Sequence, residues 1–172
     1  MKAGAIASVL LLASACATLP GAAAAQDMLT PILVGTWITQ NQSEVTIEPC
    51  EEGFCGYVSK VELPQEVIDK YGPERIAELQ GDFRDVNNQD PALRDRPIMG
   101  MPMLVLTKEV NPTHLEGKIY NPQDGKTYDG FADIVDGNRI MVGGCVAWRT
   151  ICDGQIWVRA PVIVADQTEL DG

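Results

Sequence analysis

The chain has 172 residues, enough for one domain or for one domain and a removable leader. It is acidic, with 13 Lys and Arg against 24 Asp and Glu, a formal net charge of −11 and a single His. This charge argues against a nucleic-acid binder, because phosphate affinity comes from clustered Lys and Arg. Hydrophobic residues make up 45% of the chain, which is enough for a core and argues against intrinsic disorder.

Residues 1–25 have the pattern of a secretory signal peptide. Lys2 supplies the positive charge, residues 6–15 form a short apolar run, and residues 23–25 are the small residues of a cleavage site before Gln26. The apolar run is too short to span a bilayer comfortably. The sequence therefore predicts cleavage near Ala25 and a periplasmic or secreted mature protein.

Cys16 allows a second interpretation of the leader. Residues 13–16, Ala-Ser-Ala-Cys, resemble the lipobox of bacterial lipoproteins, in which the Cys becomes the lipidated first residue. Ala13 stands where the usual Leu would be. The alternative is thus a lipoprotein anchored through Cys16, and we expect membrane association only in that case.

Cleavage after Ala25 would leave four of the five cysteines and would raise the net negative charge to −12, because Lys2 is lost. An even number of cysteines in an exported chain predicts disulfides. Four cysteines allow three pairings. We predict the pairing whose two bridges join cysteines that are close in sequence, Cys50 with Cys55 and Cys145 with Cys152. There is no C-x-x-C motif, and the spacing is not that of a zinc site. The predicted bridges are Cys50–Cys55 and Cys145–Cys152.

About eight short segments are predicted to be strands. In several of them apolar and polar residues alternate, as Val45 and Ile47 do in the second, which is typical of a half-buried strand. Turn-forming residues fill 121–125 and 136–138, so the strands follow one another as hairpins. The predicted strands are 35–39, 44–48, 54–61, 103–106, 114–120, 126–135, 139–142 and 155–159.

Three segments have a different composition. Residues 64–80 show helical spacing interrupted by Gly72 and Pro73, which predicts an insertion of two short helices. An insertion of this length is equally compatible with a lid and with a surface elaboration. Residues 81–100 form an Asp/Arg-rich loop, and residues 161–172 are predicted to be a flexible acidic tail.

Eight antiparallel strands in up-and-down order predict an all-β barrel over residues 26–160, because closure removes exposed sheet edges. A barrel of this size is either filled by its own side chains or holds one small ligand, and the sequence does not decide between the two. We expect inward-facing residues such as Val105, Tyr128 and Ile134 to line its interior.

Gly35-Thr36-Trp37 resembles the G-x-W signature of the first lipocalin strand. In lipocalins a basic residue on the last strand packs over that Trp, and Arg159 stands where it would be expected. Such a cation–π contact is worth about 1 kcal/mol. The resemblance implies a structural role in barrel closure for Trp37 and Arg159. Because aromatic residues are only 6% of the chain, we expect Trp37, Trp148 and Trp157 to contribute to the closure and packing of the barrel.

Three segments carry a more specific resemblance that covers nearly the whole mature chain. Residues 85–100, 117–128 and 144–157 are similar to motifs of a bacterial exported family catalogued as domain of unknown function 2147. Ile156 and Val158 depart mildly from the usual Thr, and the helical stretch is longer than in short members. The resemblance implies a lipocalin-like barrel in the cell envelope and carries over no reaction.

The best candidate for a binding site is the loop over residues 85–96. Arg94 and Arg96 alternate, so in an extended segment both could clamp a carboxylate or phosphate head group. Alternatively, the nearby Asp residues consume these charges, and the network pins a long loop across the barrel. The candidate ligand-binding residues are Asp85, Asn87, Asn88, Arg94, Arg96, Tyr120 and Tyr128.

Other chemistries lack their residue patterns. The loop at 85–96 has neither the central Gly nor the distal Glu of a calcium loop, and residues 125–127 lie in a hairpin rather than in a phosphate-binding loop. No Ser lies in G-x-S-x-G, and we expect the single His114 to be a solvated turn residue. The sequence therefore predicts no catalytic residue, no metal, no cofactor and no enzyme.

Two functions remain open. The first is a periplasmic protein that binds a small apolar, amphipathic or lipid-like ligand in the barrel. The second is an envelope structural or interaction protein with a filled barrel and no ligand. A continuous interior cavity of more than a few hundred cubic ångströms would favour the first. The sequence predicts no oligomeric state.

Overall fold

A computed structural model describes residues 32–78 and 81–161. The predicted signal peptide, Cys16 and residues 162–172 of the predicted tail lie outside the described residues. Eight strands make up most of the described chain. They are β1 (Gly35–Ile38), β2 (Glu44–Cys50), β3 (Gly53–Lys60), β4 (Pro102–Asn111), β5 (His114–Asn121), β6 (Lys126–Asp136), β7 (Arg139–Val146) and β8 (Ile151–Arg159).

The sheet closes into an antiparallel barrel. Each strand pairs with the next along the chain, and β8 pairs with β1 through Trp37 opposite Arg159 and Ile38 opposite Val158. The predicted up-and-down barrel is therefore confirmed. Strands β7 and β8 are longer than expected and pair as far as Val146 opposite Ile151. Gly143, Gly144 and Gly154 lie in the additional parts of these strands and have low strand propensity. Hydrogen bonding between the two strands outweighs this local propensity.

A core cluster fills one part of the barrel. The inner face of β4 is formed by Leu104 and Leu106, both fully buried, whereas Val105 pairs laterally with Cys55 and Lys118 on the outer face. The expectation that Val105 lines the interior is therefore wrong. Residues 103–106 are all apolar, so the sequence has no alternation there to show which side chains face inward. The core cluster is Leu33, Trp37, Val45, Ile47, Phe54, Leu104, Leu106, Leu115, Ala132, Ile140, Val142 and Trp157.

Trp37 and Arg159 close one end of the barrel, which is called the closed end below. The Arg159 guanidinium carbon lies 4.3 Å from the centre of the buried Trp37 ring. Arg159 also donates to three carbonyl groups, those of Ile32, Val34 and Gly137. This places Arg159 over Trp37, where the lipocalin resemblance implies it.

Gly35 has a steric reason for its place two residues before Trp37. A Cβ atom at Gly35 would lie 2.6 Å from Arg159 Nη1, and its φ of +135° is one that L side chains rarely adopt. The glycine of the G-x-W signature therefore makes room for the arginine that covers the tryptophan.

Both predicted disulfides are present. Cys50 and Cys55 bridge the turn between β2 and β3 with their Cα atoms 5.8 Å apart. Cys145 and Cys152 lie directly opposite each other on β7 and β8 with a Cα separation of 4.0 Å. Disulfides form and persist in oxidising compartments, so the two bridges indicate an extracytoplasmic environment.

Two short helices, α1 (Gln65–Tyr71) and α2 (Pro73–Glu78), occupy the predicted insertion between β3 and β4. Gly72 ends α1 with a φ of +81° and Pro73 begins α2, as the Gly-Pro break predicts. Neither helix has a buried residue. Within the described parts of the chain, no helix has the length and apolarity that a membrane span needs.

Candidate functional site

A cavity of about 780 Å³ opens into the barrel at the end opposite the Trp37–Arg159 closure, which is called the open end. Its inner wall is buried or half-buried and mainly apolar, and its rim consists of half-buried and exposed residues of loops and strand ends. The main inner-wall residues are Val45, Val58, Met103, Ile119, Tyr128, Val142 and Trp157. The barrel is thus filled by the core cluster at one end and hollow at the other.

Trp157 forms part of both the core cluster and the cavity wall. Its side chain faces inward on β8, 1% exposed, and its Nε1 atom is buried without a hydrogen-bond partner among the described residues. In contrast, the other buried indole, Trp37, donates from Nε1 to the Leu33 carbonyl oxygen at 2.9 Å. Leaving a buried donor without an acceptor costs about 1–3 kcal/mol of folding free energy. The indole N–H of Trp157 carries this cost in the described part of the chain.

Residues 83–100, called the strap below, lie against the open end. Backbone hydrogen bonds hold the strap at its base, from Ile98 N to Phe83 O and from Gly100 N to Val58 O, both 2.8 Å. Phe83, Arg84, Asn87 and Ile98 contribute to the cavity wall. The Asp/Arg-rich loop is therefore a fixed part of the cavity.

A buried carboxylate holds the strap to β5. Asp85, 1% exposed, accepts hydrogen bonds from Tyr120 Oη at 2.6 Å, from Asn88 Nδ2 at 2.7 Å and from Arg96 Nε at 2.9 Å. Arg96 Nη2 lies 2.8 Å from the same carboxylate, and its guanidinium lies over the Tyr120 ring at 5.0 Å. Every strong acceptor position of Asp85 is thus used within the protein.

The Asp85 network changes the ionisation of two of its members. Burial alone would favour the neutral form of Asp85, but hydrogen bonds from Asn88, Tyr120 and Arg96 hold the Asp85 pKa below its usual value. Burial and the hydrogen bond to Asp85 raise the pKa of Tyr120. The network therefore keeps an anionic carboxylate and a neutral phenol at neutral pH.

The strap also contacts the turn between β5 and β6. Asn87 donates from Nδ2 to the carbonyl oxygens of Pro122 and Gln123 at 3.1 and 3.2 Å. Gly125 has a φ of +69°, and a Cβ atom there would overlap the Asn87 carbonyl oxygen. The glycine in this turn therefore lets the strap pack against the hairpin.

The predicted ligand-binding residues separate into two groups. Asn87, Tyr120 and Tyr128 contribute to the cavity wall. Asp85, Asn88, Arg94 and Arg96 do not, and they form or adjoin the buried network instead. Arg94 donates from Nε to the Asn88 carbonyl oxygen at 2.8 Å and is otherwise exposed. The arrangement corresponds to the pinned loop and not to two free guanidinium groups aimed at a ligand.

The charged side chains that line the cavity are mostly acidic. They are Glu44, Glu62 and Asp153, with Arg84 as the one cation among the lining residues that the structure describes. Arg84 is already bound to Asp82 and to the Asp95 carbonyl oxygen, each at 2.7 Å. Glu44 and Glu62 share one cation, Lys60, whose Nζ lies 3.9 and 3.3 Å from their carboxylates, so the rim keeps an excess of negative charge.

The hairpin between β7 and β8 forms part of the cavity rim, and the sequence did not predict this contribution. Val146 and Ile151 line the cavity there. At its tip, Ala147, Trp148 and Arg149 have φ values of 51°, 54° and 64°, and Trp148 is 96% exposed. The expectation that Trp148 helps to close and pack the barrel is therefore wrong, because the hairpin tip carries its side chain into solvent. The sequence pattern predicts short strands that end before these residues, because Gly143 and Gly144 interrupt the apolar alternation.

The prediction that His114 is a solvated turn residue is wrong. His114 begins β5 on the outer wall, where its Nδ1 lies 2.6 Å from Asp133 Oδ1 and its ring stacks near Phe131. Asp133 stands opposite His114 in the β5–β6 register, a pairing that only the closed sheet reveals. Within residues 32–78 and 81–161, no three His, Cys, Asp or Glu side chains are grouped to hold a metal ion.

The closed eight-stranded barrel, the Trp37–Arg159 closure and the cavity define a lipocalin-like protein. The chain belongs to the family described as an uncharacterized protein conserved in bacteria (DUF2147), whose profile matches residues 35–159. A solved structure, protein HP1028 from Helicobacter pylori, described as belonging to the lipocalin family, has a similar fold. The TM-score is 0.59 at 23% identity, over 76% of this chain and 84% of that one. No curated protein matches the chain.

Proposed function

We propose that this protein binds one small apolar or amphipathic molecule in the open end of its barrel. The observation that carries the proposal is the cavity of about 780 Å³ with a mainly apolar wall of buried and half-buried side chains. Ligand pockets in proteins are typically of this size and are lined by apolar side chains with a few placed polar groups. An eight-stranded barrel has room for one such ligand.

The cavity argues against the alternative of an envelope interaction protein with a filled barrel. The core cluster occupies the closed end, and the space between it and the strap is open. Helices α1 and α2 bury no residue, and their residues do not line the cavity. They fit a surface elaboration better than a closed lid.

A binding role also suits the polar groups of the site better than an enzymatic role. Asp85, Tyr120 and Arg96 bind one another, and Tyr128 donates to Asp124. The imidazole of His114 lies on the outer wall, bound to Asp133, so it is not placed to act on a molecule inside the barrel. The site would hold a molecule without transforming it.

The proposed place of action is the periplasm or the exterior of a bacterial cell. The two disulfides support an oxidising environment, and the sequence of residues 1–25 supports export with cleavage near Ala25. The intact mass of protein expressed with its leader in a bacterial host would test this. We expect a chain that begins at Gln26, whereas a diacylated chain that begins at Cys16 would establish the lipoprotein alternative.

Native mass spectrometry after gentle purification would test ligand binding. We expect the wild-type protein to retain a molecule of a few hundred daltons, as is usual for the occupants of cavities of this size. Val146→Trp adds bulk at the rim, where Val146 is 45% exposed and lines the cavity, and should reduce retention. Val158→Trp is the matched control, because Val158 is 46% exposed on the outer face of β8.

Each outcome of that experiment is informative. Retention that Val146→Trp reduces and Val158→Trp preserves supports binding in the cavity. Apo protein alone from several expression conditions, with no uptake of added apolar compounds, would overturn the proposal and favour an interaction protein. Equal retention by both variants would place the bound molecule elsewhere.

A further inference from the structure

We propose that the barrel selects an uncharged ligand whose buried end carries an acceptor oxygen for Trp157 Nε1. The ligand class is a lipid-like molecule with an ester, ketone, ether or hydroxyl oxygen, rather than a fatty acid or another anionic amphiphile. This inference rests on the proposed function, since it specifies the chemistry of the molecule in the same cavity.

The first observation is the unpartnered indole. Trp157 lies where the cavity meets the core cluster, and its buried Nε1 has no acceptor among the described residues. Trp37, equally buried, donates to Leu33 O, which shows that the fold can supply an acceptor to an indole. Buried polar groups in native proteins are nearly always paired. Nε1 itself is closed off from a water-sized molecule in this structure, so an acceptor atom at the inner end of a ligand would complete its pairing only if the Trp157 ring turns toward the cavity on binding.

The second observation concerns the charge that this position can accept. A buried anion needs several donors or a cation, because removing it from water is costly. The donors on this part of the wall are neutral. They are Trp157 Nε1 and the side-chain amide of Gln155, whose Oε1 accepts from Gln40 N, and Val45, Val58 and Val142 are apolar. Neutral donors in a mainly apolar wall suit a carbonyl, ether or hydroxyl oxygen and do not compensate a carboxylate.

The third observation is the charge of the rim. Glu44, Glu62 and Asp153 line the cavity, and the lining cation Arg84 is bound to Asp82 and to a backbone oxygen. Lys60 lies within 4 Å of both Glu44 and Glu62, so it compensates one of these two charges and a negative excess remains. An anionic head group left at the rim would meet negative charge, and like charges that are close together are unfavourable. Both ends of the cavity therefore disfavour an anionic ligand.

The inner face of β8 gives the ligand its direction. Ile151, Asp153, Gln155 and Trp157 face inward at successive positions from the rim to the floor, and all four line the cavity. Trp157 lies four positions after Asp153 along the strand, a distance of about 13 Å. A ligand that reaches Trp157 from the rim is therefore elongated, with its apolar body along β8.

Nuclear magnetic resonance of the indole N–H groups would test the assignment directly. The three tryptophans give three indole signals, and Trp37 and Trp148 serve as internal references because one is already bonded and the other is exposed. The probes are decane, 1-decanol, methyl decanoate and decanoate. We expect methyl decanoate and 1-decanol to move the Trp157 signal downfield and to slow its hydrogen exchange, and decane to do neither.

Affinities of the same probes, measured by displacement of an apolar fluorescent dye, would test selectivity. One neutral hydrogen bond corresponds to about a fivefold preference for methyl decanoate over decane. Decanoate at pH 7 should bind about tenfold more weakly than its methyl ester or worse. Trp157→Phe should abolish the preference for the ester over decane, and Trp148→Phe should leave it unchanged.

The outcomes separate this inference from the function on which it rests. If no probe binds, ligand binding in the cavity fails as well. If the probes bind but the ester moves the Trp157 signal no more than decane does, or if decanoate binds as tightly as its ester, only the inference fails. If Trp157→Phe does not fold, the resonance measurement on the wild-type protein still decides.

Discussion

At the closed end of the barrel the buried polar groups are paired, whereas at the open end one of them is not. Arg159 satisfies three carbonyl groups and covers the Trp37 ring, and Trp37 itself donates to Leu33. Trp157, an equally buried tryptophan on the neighbouring strand, has no acceptor within residues 32–78 and 81–161. The same residue type is thus used in two ways within one sheet.

The difference follows from what lies beside each ring. Trp37 packs against chain segments that bring backbone oxygens with them, since residues 32–34 cross the closed end. Trp157 borders the cavity, and none of the described residues places an acceptor beside its Nε1. The two ends of the barrel therefore differ in how completely their buried indoles are paired.

The largest effect is expected from Trp37→Ala at the closed end. Truncation of a fully buried aromatic side chain typically costs about 3–5 kcal/mol of folding free energy, and Trp37 also supports Arg159. Urea denaturation followed by circular dichroism would measure the loss. A change below about 1 kcal/mol would contradict the view that the closed end carries the stability of the barrel.

Asp85→Ala at the open end is expected to cost less and to act locally. Removing the carboxylate leaves Arg96, Tyr120 and Asn88 without their shared acceptor, a loss of about 2–3 kcal/mol that is limited by the 28% exposure of the Arg96 side chain. Hydrogen exchange should increase over residues 83–100 and remain slow in the barrel strands.

Asp95→Ala is the control for this prediction, because Asp95 lies on the same strap and is exposed. Its hydrogen exchange should match that of the wild-type protein. Uniform acceleration across all strands in Asp85→Ala would mean that the network stabilises the barrel as a whole, and the contrast between the two ends would then disappear.

Acid should release the strap before it unfolds the barrel. The Asp85 pKa is lowered in the folded protein from the usual value of 3.8, so its contribution to stability is complete above that value and is lost as the pH falls through the folded-state pKa. Hydrogen exchange of the strap, corrected for intrinsic rates, should rise below about pH 4. Asp85→Asn should show no such pH dependence, and an identical profile in that variant would assign the effect to another group.

The smallest effect is expected in the helical insertion. Tyr71 at the end of α1 is half exposed, and neither helix buries a residue. Tyr71→Ala should change the folding free energy by less than about 0.5 kcal/mol and leave ligand retention unchanged. A clear loss of retention would revive the interpretation of the helices as a lid.

Much of the architecture was predictable because its signals are local. Alternating strands, turn residues and the Gly72-Pro73 break predict the hairpins and the two helices, and short separations between cysteines predict the bridges. The inward or outward direction of Val105 was not predictable, because an unbroken apolar segment looks the same from either face. The cavity was not predictable either, since its wall combines residues from distant parts of the chain.

The Asp/Arg-rich loop shows most clearly what could not be predicted from the sequence alone. Its composition is compatible with an anion clamp and with an internal network, and the sequence alone left both open. The internal network depends on Tyr120, 35 residues away from Asp85, and on a turn where Gly125 allows close approach. Those neighbours become visible only when β5 and the strap meet at the open end.

By itself, the sequence determined the class of the fold, the strand order, the closure of Trp37 by Arg159 and the two bridges, because each depends on periodicity, short separations or a recognisable signature. Only the tertiary structure decided that the barrel is filled at one end and hollow at the other, and that Arg96 serves the strap. The physical reason is that a cavity and a buried ion pair are properties of surfaces facing each other, and residues far apart in the chain form those surfaces.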